Sequence, residues 1–269
     1  MAISLASLRR GGEARPPRLL VYGVAGVGKT KLAADAPSPV FLQTEDGLGG
    51  IDAATFGLLR SFDEVMAAIA SLYTEPHDFQ TVVLDSLDWL EPLVWRHTCA
   101  IQTTPWTTIE QPGFGKGYGA AVDVWRDFLE GINSLRDERG MAVVLIAHAD
   151  IKRFDSPETE PYDRYQPKLH ARASALIQEH VDAVLFANYR ISTLKSDAGF
   201  GKKVTRGVSG GDRLLHTTER PAYLAKNRFG LSDTLALDWP TLAAGIPFYV
   251  GAAAEADTSS ISTAITQGA

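Results

Sequence analysis

Apolar residues fall into two patterns along this chain. Short runs, Arg18 to Tyr22 (RLLVY), Pro39 to Thr44 (PVFLQT), Gln80 to Leu84 (QTVVL), Ala142 to Ala147 (AVVLIA) and Asp182 to Ala187, predict strands buried on both faces. Between them apolar residues recur at helical spacing. Ser61 to Glu64 (SFDE) has the form of a capping box, followed by Phe62, Val65, Met66, Ile69, Leu72 and Tyr73 on one face. Ala121, Val122, Trp125, Phe128, Leu129, Ile132 and Leu135 mark a long amphipathic helix that Gly140 ends. Shorter helices are expected from Lys31, through Trp89 to His97 with Pro92 tolerable only near the first turn, and over Ala173 to Glu179. Strands alternating with helices predict an α/β fold, a mainly parallel central sheet with helices on both faces. In such sheets ligands sit beyond the carboxyl ends of the strands.

The remaining segments are polar. Thr103 to Gly119 and Asp150 to His170 read as two long loops, and residues 188–220 as hairpin or loop material rich in glycine and charge. Tyr223 to Ala225 reads as one more strand, leading into Lys226, Asn227 and Arg228. We therefore expect an N-terminal arm over 1–17, one domain over 18–250 and a small, polar, disordered tail over 251–269.

Composition narrows the picture only slightly. Of 269 residues, 45% are hydrophobic and 22% charged, as in ordinary globular proteins. No run is long and apolar enough to span a membrane, and Arg9 and Arg10 are not followed by the apolar core of a signal peptide. Cys99 is the single cysteine, so no intrachain disulfide can form, which fits a reducing cytoplasm. The net charge of −6 counts against a generally basic nucleic-acid binder but leaves room for a local basic groove.

The chemistry centres on Gly23 to Thr30 (GVAGVGKT), which fits G-x-x-x-x-G-K-[ST] at every fixed position. A strand precedes it and a helix follows, the context this motif needs. Glycines let the backbone close around a phosphate, and the N–H groups of Gly23, Val24, Ala25, Gly26, Val27, Gly28, Lys29, Thr30 and Lys31 then face the anion. Lys29 is placed to reach the β- and γ-phosphates of ATP, and the Thr30 hydroxyl to hold Mg²⁺. Asp85, ending TVVL, is the expected carboxylate partner of that ion. Glu45, just past the second strand, is the candidate to orient or deprotonate the attacking water, with Asp46 as its competitor. His148, at the tip of AVVLIA, is a candidate sensor of the γ-phosphate. The other histidines show no metal-ligand spacing. Lys226 and Arg228, one residue apart on a strand, would face the same way and could complete a neighbouring subunit's site as a cationic pair. In the loops, Lys116 stands between Phe114 and Tyr118, a cation flanked by aromatics that suits single-stranded nucleic acid. Lys152, Arg153, Arg164, Lys168 and Arg172 lie in the second loop beside five acids, leaving it near neutral.

On these marks, GVAGVGKT, FLQTEDGL, TVVLDS, VVLIAH and LAKNRFG, the chain resembles the RecA-like P-loop ATPases over residues 18–240, especially the compact phage group described as ATP-binding or single-strand annealing recombination proteins. The resemblance implies a single RecA-like domain that hydrolyses ATP with Mg²⁺ at subunit interfaces. It implies that Glu45 activates water and that Lys226 and Arg228 reach ATP across the interface. Two loops, here 103–119 and 150–172, would line a DNA groove, with Lys116, Lys152, Arg153 and Lys168 as contacts. Partners would be single-stranded DNA and further copies of the chain in a ring or filament, with a single-strand binding protein as another candidate. The location would be cytoplasmic, that of the host if phage-encoded. His148 and Ala149 stand where the recombinases usually carry Asn-Gln or Gln. Two other readings remain open: a hexameric helicase or translocase core, and an ATP-binding loader or mediator acting on a protein.

Overall fold

A computed structural model describes residues 14–197 and 203–251. All but the first residue of the predicted tail over 251–269 and most of the N-terminal arm lie outside the described residues.

Six strands run parallel: β1 (Arg18–Gly23), β2 (Pro39–Gln43), β3 (Ala54–Leu58), β4 (Thr81–Asp85), β5 (Ala142–Phe154) and β7 (Ala183–Asp197). With β8 (Lys203–His216) and β10 (Thr234–Ala236) antiparallel at one edge, the order is β10-β8-β7-β1-β5-β4-β2-β3. Strand β6 (Tyr162–Pro167) pairs with the outer half of β5, and β9 (Lys226–Asn227) with the start of β7.

The apolar runs are unbroken because both faces of this sheet are covered. Leu20, Tyr22, Val82, Leu84, Val143 and Leu145 meet helices α2 (Phe62–Thr74), α3 (Leu87–Ala100), α4 (Lys116–Arg139) and α5 (Ala171–His180). Their alternate neighbours Leu19, Val21, Val83, Val144 and Ile146 meet α1 (Lys29–Ala34) and α6 (Trp239–Ala243). The two-residue side-chain period of a strand sorts each run into the two cores. The Ser61 hydroxyl caps α2 by accepting the Glu64 N–H at 3.1 Å, as the capping-box pattern predicts.

Several expectations change. Pro92 sits inside α3, deeper than expected because the helix begins at Leu87, and the helix continues because Leu90, Leu93 and Val94 anchor it in the core. The second polar loop is largely a β-hairpin, with β5 running on to Phe154 and pairing with β6 from Ala149↔Pro167 to Phe154↔Tyr162. The first loop is shorter than expected, because α4 already begins at Lys116. Tyr223 to Ala225 is not a strand. Tyr223 makes only isolated bridges to Tyr165 and Arg220. Strand β3 was not anticipated. It is the sheet's outer edge, with Ala54, Thr55 and Phe56 exposed, so no buried pattern marks it.

Candidate functional site

The tips of β1, β2, β4 and β5 converge on one cavity of about 280 Å³, lined by Gly26, Gly28, Lys29, Thr30, Lys31, Glu45, Gly47, Ile51, Asp85 and His148. Two glycines fix the loop that forms its floor. A Cβ on Gly23 would collide with the Ala187 carbonyl of β7, and Gly28 caps α1 at φ +107°, a left-handed conformation that side chains disfavour. Val27 is fully buried in the core beneath, which anchors the loop's centre.

Lys29 is buried, and its Nζ donates to the carbonyls of Gly23 at 3.2 Å and Val24 at 3.1 Å. Burial lowers its pKa, and the acids Asp85, Asp88 and Glu45 partly offset that. The Thr30 hydroxyl donates to Asp85 Oδ2 at 2.7 Å. Asp85 is buried, and burial raises its pKa while the Thr30 bond opposes the rise. A hydroxyl and a carboxylate brought together at a glycine loop are hard oxygen donors of the kind Mg²⁺ takes alongside phosphate oxygens, so the residues fit that ion.

Glu45 is tied to the tip of β4. Its N–H donates to the Asp85 carbonyl at 3.2 Å, and its Oε2 accepts from the Ser86 hydroxyl at 3.1 Å. Asp46 is exposed and does not line the cavity, so the geometry selects Glu45 of the two acids. His148 points into the same space. Its N–H donates to Asp88 Oδ1 at 2.9 Å, its ring Nδ1 lies 3.0 Å from Asp88 Oδ2, and Glu45 Oε2 is 3.8 Å from the same nitrogen.

Asp88 and Ser86 were missed as site residues. The available signal was their place in the first turn after Asp85, where a helix start turns side chains back towards the strand tips. Asp88 holds the imidazole, and its hydrogen bond raises the His148 pKa against burial. Burial alone would raise Asp88, but the bonds from the His148 ring and backbone bring it below the usual carboxylate range. The sign follows for both partners. The raised histidine adds stability that is full below about pH 6.5 and is lost as pH rises through its folded pKa. The lowered aspartate adds stability that is full above about pH 4 and is lost as pH falls through its folded pKa. Asp88→Asn should therefore lower the His148 pKa measured by NMR titration and destabilise the fold more at pH 6 than at pH 9. An unmoved His148 titration would refute the pairing.

A family model described as an AAA domain matches residues 15–229, four-fifths of the chain and every element of this site. The chain belongs to that family. The AAA domain, a P-loop ATPase fold, is also 26% identical over 220 residues to the SPbeta prophage-derived uncharacterized protein YorG of Bacillus subtilis (strain 168). That match covers 80% of this chain and 60% of YorG, so the chain spans less than two thirds of that relative's length. Among the described residues, no helix of the AAA domain is long and apolar enough to cross a membrane.

The remaining candidates of the AAA domain scatter. Lys226 and Arg228 do not share a strand face, because β9 spans only Lys226 and Asn227. They lie at the opposite end of the strands from the glycine loop, where β9 meets the first residues of β7. Lys226 Nζ donates to the carbonyls of Gln178, Glu179 and Val181 and closes the end of α5, while Arg228 is half exposed and 3.6 Å from Asp182. Lys116 is the exposed first residue of α4. Of its two flanking aromatics, only Phe114 is open to solvent. Tyr118 stacks on His170 at 4.1 Å and bonds Glu110. Lys152 donates to the Leu169 carbonyl at 2.6 Å, Arg153 pairs with Asp155 at 3.5 Å, and Arg164 is buried against Glu219 and the Phe154 ring. Lys168 is exposed, and its N–H donates to the His148 carbonyl at 2.9 Å.

Proposed function

We propose that this AAA domain is a RecA-like enzyme that hydrolyses ATP at subunit interfaces and works on single-stranded DNA in phage recombination or annealing. The observation that carries the ATPase part is the convergence of Lys29, Thr30, Asp85, Glu45 and His148 on one cavity. Magnesium, when bound at Thr30 and Asp85, supplies charge to the phosphates. The chain does the rest. Loop N–H groups and Lys29 hold the phosphates, for which the lysine must exchange its two carbonyl partners. Glu45, held by Ser86 and the Asp85 carbonyl, orients the attacking water and accepts its proton. His148, with Nδ1 held on Asp88, stands beside Glu45 as the group able to sense the terminal phosphate.

The DNA part is supported by position. The Lys168 N–H on the His148 carbonyl joins the β5–β6 hairpin to the ATP site. Beside that hairpin a cleft is lined by Trp89, Trp95, Lys152 and Lys168, aromatics next to cations of the kind that suit single strands, together with the acids Asp88, Glu91 and Asp150. Single-stranded DNA should stimulate ATP turnover. An anisotropy titration showing no DNA binding with or without ATP would refute this part. The loader or mediator reading is favoured by one feature, a mostly apolar cleft of about 550 Å³ around Pro92, Trp95, Cys99, Pro105, Trp106 and Ile109. Unwinding of a forked duplex would instead favour the helicase reading.

Arg228 is the better placed of the two proposed trans cations, since Lys226 is committed to three carbonyls. Mixing Lys29→Ala with Arg228→Ala protein, each nearly inactive alone, should restore part of the activity where intact sites form between them. No recovery at any ratio, with turnover per subunit independent of protein concentration, would rule out a trans role.

A further inference from the structure

Beside the glycine loop stands a cation that the mechanism above does not use. Tyr189 on β7 and Arg213 on β8 are directly opposed in the strand register, and opposed residues lie on the same face of a sheet. The Tyr189 hydroxyl donates to the Gly26 carbonyl at 3.1 Å. The Arg213 Nη1 lies 3.0 Å from where a Cβ of Gly28 would stand, with Leu237 Cδ2 at 3.8 Å from the same point. The pair thus spans the loop from Gly26 to Gly28. Among the described residues, no carboxylate or carbonyl takes up the Arg213 guanidinium, whereas Arg190 close by is met by Asp212 at 3.3 Å. An exposed, unmatched guanidinium held against a phosphate loop calls for an anion.

The sheet order says which end of a nucleotide it meets. Glu45, Asp85 and His148 come from β2, β4 and β5, all on one side of β1. The terminal phosphate belongs on that side, with the water-activating acid. Strands β7 and β8 are on the other side of β1. The nucleotide's remaining length must leave across the start of α1, past Gly28. We propose that Arg213 and Leu237 form the subsite for the nucleoside end of ATP, the guanidinium pairing with the α-phosphate and Leu237 giving an apolar floor to the sugar and base. Tyr189 is a positioning residue that holds the loop to this edge. The Leu237 N–H donating to the Arg213 carbonyl at 3.1 Å keeps the two side chains together. The inference rests on the ATP-site reading above.

Titrations of ATP and ADP into wild type, Arg213→Gln and Arg213→Lys test it. Both nucleotides share the α-phosphate, so Arg213→Gln should raise both dissociation constants by the same factor, about 10-fold or more for a lost charge-assisted pair. Arg213→Lys should fall between. The Michaelis constant for ATP should rise by more than kcat falls, and the melting temperature without nucleotide should not move, because the side chain is exposed and unpaired. Weaker ATP binding with ADP unchanged, unchanged binding of both, or a lowered melting temperature without nucleotide would each overturn the subsite. If Lys29→Ala loses ATP while Arg213→Gln binds like wild type, the subsite alone fails. If wild type binds neither nucleotide, the ATP-site reading fails and takes the subsite with it.

Discussion

Lys29→Ala should reduce ATP turnover by about 10³-fold or more, the scale of losing a preorganised charge from a site where negative charge gathers. Lys29 is the cation of the cavity floor, and no other lysine or arginine among the cavity-lining residues except Lys31 is near the loop. Lys31 is engaged with Asp35 one helical turn on, so it does not replace the lost charge. The fold should survive the change. The ammonium is buried at a cost that its two carbonyl partners only partly offset, and burial holds its pKa down. Removing it relieves that cost, so the melting temperature without nucleotide should stay within about 4 °C of wild type. The stabilisation that ATP gives wild type should vanish. Wild-type turnover in the variant, or an unchanged ATP-induced shift in melting temperature, would sink the nucleotide-site assignment.

The parts of this protein that were legible in the sequence are those where burial writes a pattern. Strands β1, β2, β4 and the first half of β5 are covered on both faces, and each shows as an apolar run at the expected place. The catalytic candidates were legible for a related reason. In a parallel sheet the strand tips define the site, so an acid or histidine just beyond an apolar run is placed there by topology alone, and Glu45, Asp85 and His148 meet at one cavity.

Where burial writes no pattern, the sequence does not mark the element. Strand β3 is an exposed edge, and the β5–β6 hairpin leaves the core, so Asp150, Lys152 and Arg153 look like loop residues while lying in a strand. The start of α4 hides in a glycine-rich stretch, where Gly117 is needed because a Cβ would strike the Ile109 carbonyl. Lys226 and Arg228 would share a face only on a strand long enough to set one, and β9 has two residues. Asp88 and Ser86 carry no motif beyond their place just after Asp85. The place of Arg213 beside the glycine loop comes from the sheet order, a long-range property that local pattern does not encode.

Glu45→Gln should leave ATP binding close to wild type and slow hydrolysis by about 10²-fold or more, the scale of a lost general base. The substitution keeps the side chain's size and one acceptor oxygen, so the Ser86 hydroxyl retains a partner and the tip of β2 stays bonded to Asp85 through its backbone. What is lost is the negative oxygen 3.8 Å from the His148 ring and the capacity to take a proton from water. Losing that charge also removes one of the influences holding the His148 pKa up, although Asp88 remains the larger one, so the imidazole should stay anchored. The effect should therefore fall on kcat rather than on the dissociation constant, and single-turnover measurements should show bound ATP persisting uncleaved. Asp46→Asn, at an exposed position outside the cavity, should change turnover by less than about 2-fold, in line with a surface substitution. If Asp46→Asn gives the large loss and Glu45→Gln does not, the water-activating acid is the neighbour, and the loop after β2 must rearrange when nucleotide binds.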